Sequence, residues 1–400
     1  MRTSVKTLHF PMAGVDRSSS FRASTEPSEN RIYAAPFAKN VRGTDVFGGR
    51  ERGGSRPGLI PVSPSPVKPT IEDKPTAFYR GRKVYSDGKL WFASRTGDHS
   101  DFNYSGDGDD VTRPAMGKVG FASVNDAEEI TAVFSISPDI LYISTRKSLW
   151  AIQGDVGSGA VFRVAENAGV VSKNAWTYSG NTVYLASPDG IYAYASGQGA
   201  VRLSDRVPEE LRSMTEAVCQ YDPENEAIHL FTDVGDWYFE LKAKAWWPQE
   251  FISSHRPMCS TVTLADGLLK AAFYGKDGVW RAFGGSGSQN YETVNSSVAI
   301  GPFRCSARED CDGMFDSFLT VLAKDSGNVS VKIFTGKTAE DSVSAAESGS
   351  CIWSGILNAG LNYTIRPRVR GAWVTMVLSS SSPWAFESMT AITKALGGLR

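Results

Sequence analysis

Five aromatic strand phrases recur through the middle of this chain, and their spacing constrains the fold more than any other feature. LWFAS (90–94), ILYIS (140–144) and VYLAS (183–187) share an apolar–aromatic–apolar–small–serine pattern, with Trp91 aligned to Tyr142 and Tyr184. IHLFT (228–232) and LKAAFY (269–274) continue it more weakly. Each of the last four is followed by a turn and a second aromatic strand: SLWAIQ, GIYAYA, DWYFEL and GVWRAF. The anchors of that second set, Trp150, Tyr192, Tyr238 and Trp280, stand 42, 46 and 42 residues apart. A step of about 40–50 residues, made of short strands and tight turns, is the mark of propeller blades. Asp189-Gly190 and Asp277-Gly278 fall between paired strands, where Asp-Gly supplies the positive φ of a hairpin. PEELRSMTEAV (208–218) is the one convincing short helix, with Pro208 suited to its first turn. Without helices between strands a parallel α/β fold is ruled out. The chain therefore reads as all-β, with a β-propeller-like domain over 76–285 of five or six blades.

The flanks read differently. Residues 1–75 are rich in Gly, Pro, Ser and Arg and short of periodicity, which predicts an extended, polyproline-like arm. The overall charge of −1 hides an asymmetry, because residues 1–60 alone carry a net +5. A basic arm on a mildly acidic body suits contact with another surface, and Arg42, Arg50, Arg52 and Arg56 are the expected interface residues. GGSGSQNYE (284–292) reads as a linker. Beyond it NVSVKIFT (328–335) alternates cleanly, placing Val329, Val331 and Ile333 on one face, and 362–380 is a second long β segment. Residues 290–400 are thus expected to form a C-terminal antiparallel β-sandwich.

Composition sets the class. With 21% charged and 41% hydrophobic residues the bulk is a globular protein with a sizeable core. No apolar run is long enough for a membrane-spanning helix, and the start lacks the apolar core of a secretion signal, so assembly inside a cell is expected. Five cysteines without a CxxC pair argue for reduced, mostly buried thiols rather than disulfides or a zinc ribbon.

Chemistry is sparse. No phosphate loop, dinucleotide fingerprint, zinc helix or nucleophile elbow is present, and the four histidines are scattered. The expectation is that the chain is not an enzyme and needs no cofactor. The stretch from Leu90 to Asp110 is the best remaining candidate. Its blade strand runs into a loop with Asp98, Asp101, Asp107, Asp109 and Asp110. Asp107, Asp109 and Asp110 have the hard oxygen donors calcium requires, but their spacing does not match a calcium-binding loop. A loop facing a partner, through Asp98 and Asp101, is the stronger reading. Trp246-Trp247 and Trp237-Tyr238 suggest a sugar platform, yet blade packing already uses large aromatics, and core is the better expectation.

AGVDRSSSFRASTEPSENRIYAAPFAKNVRGTDVFGGRERGGSRPGL (13–59), LWFASRTGDHSDF (90–102) and PRVRGAWVTMVLSSSSPWAFESM…LGG (367–398) together resemble virion proteins of tailed bacteriophages. The family is the tail nozzle, or tail tubular protein B, of short-tailed phages. What the resemblance implies is a homo-oligomeric ring, a hexamer, below the portal and adaptor, through which DNA passes without sequence recognition. Its partners are further copies of itself, the adaptor and other tail proteins, and its location is the virion, assembled in the host cytoplasm. At 400 residues the chain is shorter than many nozzles.

A second reading stands beside it: a receptor- or carbohydrate-binding propeller of a phage tail or cell surface, with glycosidase activity as one version. Such binders are expected to carry exposed aromatics in blade-joining loops, whereas here the aromatics lie within strands.

Overall fold

The computed structural model describes residues 3–21, 32–63, 65–69, 72–105, 111–119, 128–195, 198–204, 207–265, 267–284, 292–306 and 311–398. The N-terminal region is extended, as expected. It contributes β1 (Thr3–Leu8), β2 (Ala38–Lys39), β3 (Val41–Thr44), β4 (Glu51–Ser55) and β5 (Leu59–Pro61). It is not a separate arm, however: β3 and β4 pair with each other, but β1, β2 and β5 pair with strands formed much later in the chain.

Blade one runs β6 (Thr76–Tyr79), β7 (Arg82–Asp87), β8 (Leu90–Ala93) and β9 (Ala115–Lys118). Blade two comprises β10 (Ile130–Ser137), β11 (Ile140–Thr145), β12 (Leu149–Gln153) and β13 (Ala160–Ala165). Blade three follows with β14 (Trp176–Ser179), β15 (Thr182–Ser187), β16 (Gly190–Ala195) and β17 (Val201–Arg202). Blade four holds β18 (Ala217–Asp222), β19 (Ala227–Thr232), β20 (Gly235–Glu240) and β21 (Ala245–Gln249). The fifth sheet is β22 (Pro257–Ala265), β23 (Leu268–Gly275), β24 (Trp280–Phe283) and then β5 from the N-terminal region. Five four-stranded antiparallel sheets thus stand among the described residues.

Trp150, Tyr192, Tyr238 and Trp280 all lie on third strands, so the regular step is a true structural register. LWFAS is also a third strand, β8. Trp91 therefore corresponds to Trp150, not to Tyr142 and Tyr184. The true second strand of blade one, RKVYSD, is too polar to show the phrase. The acidic loop consequently joins the third and fourth strands of its blade. Trp91 packs in a core with Tyr79, Val84, Ile130, Leu141, Ile143, Trp150 and Ile152. Gly190 and Gly278 take φ of 139° and 79° in the two Asp-Gly turns, as a hairpin of that kind requires.

The expected helix at 208–218 shortens to a 3-10 turn, Glu209–Ser213, because Ala217 onward is drawn into blade four as β18.

The last part is a sandwich built from β25 (Ser296–Arg304), β26 (Cys311–Leu322), β27 (Val329–Gly336), helix α1 (Ala339–Ser348), β28 (Trp353–Leu357), β29 (Gly360–Ile365), β30 (Val369–Gly371), β31 (Trp373–Ser380) and β32 (Phe386–Gly398). One sheet is ordered β1-β32-β26-β29 with β30 on β26, the other β2-β25-β31-β27-β28. Val329, Val331 and Ile333 are fully buried on one face, as their alternation predicts. Phe303 meets Phe315 at 5.6 Å, and Phe318 meets Trp353 at 6.1 Å, between the two sheets. The α1 helix is absent from the sequence expectation. Thr338 caps it with a reciprocal capping box to Asp341, and Gly349 ends it in the left-handed region.

By internal contacts the chain divides into two compact units. Unit 1 is Met1–Val62, Trp237–Phe251 and Arg281–Arg400; unit 2 is Ser63–Asp236 and Ile252–Trp280. The boundaries expected at 75 and 290 differ because the N-terminal strands share sheets with the C-terminal ones.

Candidate functional site

The basic N-terminal cluster is where sequence reasoning placed an intermolecular contact, and the structure turns most of it inward. Arg42 is buried, with its guanidinium 4.1 Å from the Tyr238 ring centroid and 4.3 Å from that of Phe283. Arg56 is fully buried and donates to Glu292 at 2.9 Å, to the carbonyls of Pro57 and Glu250, and to Asn40 Oδ1. Arg52 Nε donates to Asp45 at 2.6 Å, and its other end pairs with Glu387. Only Arg50 of the four is exposed. The physical reason is desolvation: a guanidinium taken from water needs fixed carboxylate, carbonyl or ring partners, and here its own chain supplies them.

Asp45 is the hub of the 45–52 turn. Its carboxylate accepts from the backbone N–H of Phe47 and Gly48, both at 2.7 Å, and from Arg52. Burial pushes this carboxyl up, but the N–H groups and Arg52 together hold it below the ordinary carboxylate range. Glu240 in the same unit is the opposite case. Burial raises it, and Glu51 adds to that rise against Arg42 and Lys242.

In unit 2 the acidic loop is tied at its base. Arg82 is buried and donates to the carbonyls of Ser94, Val111, Thr112 and Arg113. Asp101 accepts from Arg95 Nε at 2.7 Å, which lowers its pKa, as does the backbone N–H of Asn103. Asp98 accepts from the Ser100 hydroxyl and N–H, and these two bonds lower it in turn. Both carboxylates are engaged within their own loop. Asp107, Asp109 and Asp110 lie outside the described residues. Among the described residues no three His, Cys, Asp or Glu side chains gather as a metal site would require. No helix among them is long and apolar enough to cross a membrane.

Trp246 and Trp247 are buried, as expected of core. The groove that sequence reasoning missed lies elsewhere in unit 2, across the first strands of blades three, four and five. It encloses 430 Å³ and is lined by Trp176, Tyr178, Gln220, Tyr221 and Ser260, among others. Cys219 N–H donates to the Asn174 carbonyl at 2.8 Å and Tyr221 N–H to Thr177 Oγ1 at 3.0 Å, setting β14 beside β18. Burial raises the thiols at its base: Cys259 is pushed up to about 11, and Cys219 higher still, so both stay protonated. WTYS (176–179) holds the clue, since period-2 spacing puts Trp176 and Tyr178 on one face of one strand.

No protein-family profile and no curated protein matches this chain. Solved structures do. A GH32 β-fructofuranosidase of Bombyx mori is 10% identical with a TM-score of 0.27, covering 86% of this chain and 94% of that one. The extracellular domain of a hybrid two-component system from B. thetaiotaomicron is 12% identical at a TM-score of 0.29, covering 91% of this chain and 62% of that one. The N-terminal domain of Nup159 is 10% identical at 0.21. An enzyme among these similar structures corrects the expectation that the chain is not an enzyme. At these scores the likeness assigns no activity, and the all-β, propeller-like fold rests on the sheets described above.

Proposed function

We propose that this chain is a structural protein of a short-tailed phage virion, a homo-oligomeric ring that continues the DNA-ejection channel in the tail. One observation supports it most. Asn40 to Leu59, the last part of the first resembling phrase, supplies the residues on which unit 1 is organised. Asn40 bonds to Asn295, Glu250 and Arg56; Arg56 bonds to Glu292; and Ser55 bonds to Trp384 of the third, C-terminal resembling phrase. A phrase shared for structural reasons belongs at such a place. Mass photometry and negative-stain microscopy of the purified chain, alone and with its adaptor, test the reading. Rings with a central channel are expected; monomers under both conditions would overturn it.

A second reading, a receptor- or carbohydrate-binding propeller, is favoured by the aromatic groove in unit 2. The two readings concern different parts of the molecule and do not compete for residues.

A further inference from the structure

We propose that the groove across β14, β18 and β22 binds a neutral saccharide, stacked on Trp176, Tyr178 and Tyr221. This deepens the second reading above and is independent of ring assembly.

The rings are pre-set. Trp176 stacks on Phe134 at 4.2 Å and 15°, and its Nε1 donates to the Lys173 carbonyl at 3.0 Å, so its rotamer is fixed from behind. Tyr178 lies 6.3 Å from Trp176 at an interplanar angle of 20° and is 51% exposed. Tyr221 stacks on Tyr184 at 5.4 Å and 1°. Ring–ring bracing removes the rotamer entropy that a ligand would otherwise have to freeze.

The chemistry of the lining selects the ligand. Among the described residues its lining includes no carboxylate, ammonium or guanidinium. A phosphate or nucleotide would therefore be desolvated without a counter-charge. What the groove offers beside its rings is amide and hydroxyl: Asn174, Gln220, Ser179, Ser260 and Thr261. A sugar ring has the matching duality, with an apolar C–H face for an aromatic plane and a rim of hydroxyls for polar groups. The 430 Å³ falls within the usual range of small-ligand sites and holds one or two sugar rings. Among the described residues the lining holds no carboxyl pair of the kind glycoside hydrolysis uses, and binding alone is assigned to the groove. A proline-rich peptide also docks on aromatic grooves, but it leaves a row of amides and hydroxyls without hydroxyl partners.

Titration of the full chain by calorimetry and tryptophan fluorescence decides it. The probes are neutral gluco-, galacto- and manno-configured trisaccharides, a sialylated trisaccharide, and a proline-rich decapeptide. At least one neutral trisaccharide is expected to bind, with Tyr178→Ala weakening it about tenfold or more and Tyr178→Phe staying within about twofold. Tyr178 is half-exposed, so unfolding is not expected, and an unchanged melting temperature checks this. Tyr221→Ala is the second variant, expected to weaken the same sugar. Binding unaffected by either alanine variant overturns this site while leaving the carbohydrate-binding reading standing. No binding of any sugar overturns both. Preference for the peptide or the sialylated probe overturns the neutral-saccharide assignment.

Discussion

Arg56 and Glu292, 236 positions apart in sequence, meet as a buried ion pair at 2.9 Å. The Glu292 carboxylate also accepts from the Leu59 N–H at 2.8 Å, so a single acid anchors both the guanidinium and the start of β5. Removing one partner strands the other in a dry site, which costs about 3–5 kcal/mol. Glu292→Ala is therefore expected to lower stability by about that amount in urea titration. Arg56→Lys should recover little, because an ammonium cannot reproduce the forked contacts to Glu292, Pro57, Glu250 and Asn40.

Asn40 sits at φ 53°, in the left-handed region, with three side-chain hydrogen bonds to Asn295, Glu250 and Arg56. Replacing it with Gly loses the bonds but keeps the backbone relaxed. Ala loses both, so Asn40→Ala should be less stable than Asn40→Gly by about 1 kcal/mol in paired thermal melts.

Asp45 and Glu240 predict opposite pH slopes. The lowered Asp45 contributes stability above about pH 4, the unfolded carboxylate value, and loses it as pH falls through the folded value. Asp45→Asn should cost on the order of 2 kcal/mol at neutral pH and flatten the acid limb. The raised Glu240 is a liability above its unfolded value that is relieved as pH falls through its raised folded value. Glu240→Gln should thus stabilise the protein at pH 7 and leave it unchanged near pH 4. Melting temperatures across pH 3–8 would show the two profiles crossing.

Gly117 faces Trp91 across β8 and β9, and a Cβ there would lie 2.6 Å from the indole. Gly117→Ala must move a ring packed in the blade-one core, at a cost of about 1–3 kcal/mol. Differential scanning calorimetry of this variant beside Gly88→Ala, a positive-φ turn in open space, separates ring displacement from backbone strain.

The blades were legible in the sequence because β16 and β24 each place an aromatic at the same register after an Asp-Gly turn. In blade one the phrase falls one strand late, since Arg82, Lys83, Ser86 and Asp87 dilute the apolar pattern of β7. The α1 helix leaves little trace in the sequence because its buried Ala339, Val343 and Ala346 give only weak amphipathicity, leaving the Thr338–Asp341 cap as the clearest signal. The arginines of the N-terminal region looked like surface residues for a different reason. Glu292, Glu387 and Tyr238, which cover them, are far away in sequence, and no local pattern announces such partners. The groove was hidden likewise, since Trp176, Tyr221 and Ser260 belong to three separate repeats.

The pairing of β1 with β32, from Thr3 with Lys394 to Leu8 with Met389, bears on how the protein is made. A ribosome delivers Thr3 long before Lys394, so β1 waits through the synthesis of everything between them without its mate. Unit 2, continuous over most of its length, has what it needs to fold on the emerging nascent chain. Unit 1 must wait for its C-terminal strands, with contacts of very long sequence separation still to close. A cell expressing this protein therefore faces a delay between synthesis and maturity in which exposed strand edges invite chaperones, or one another.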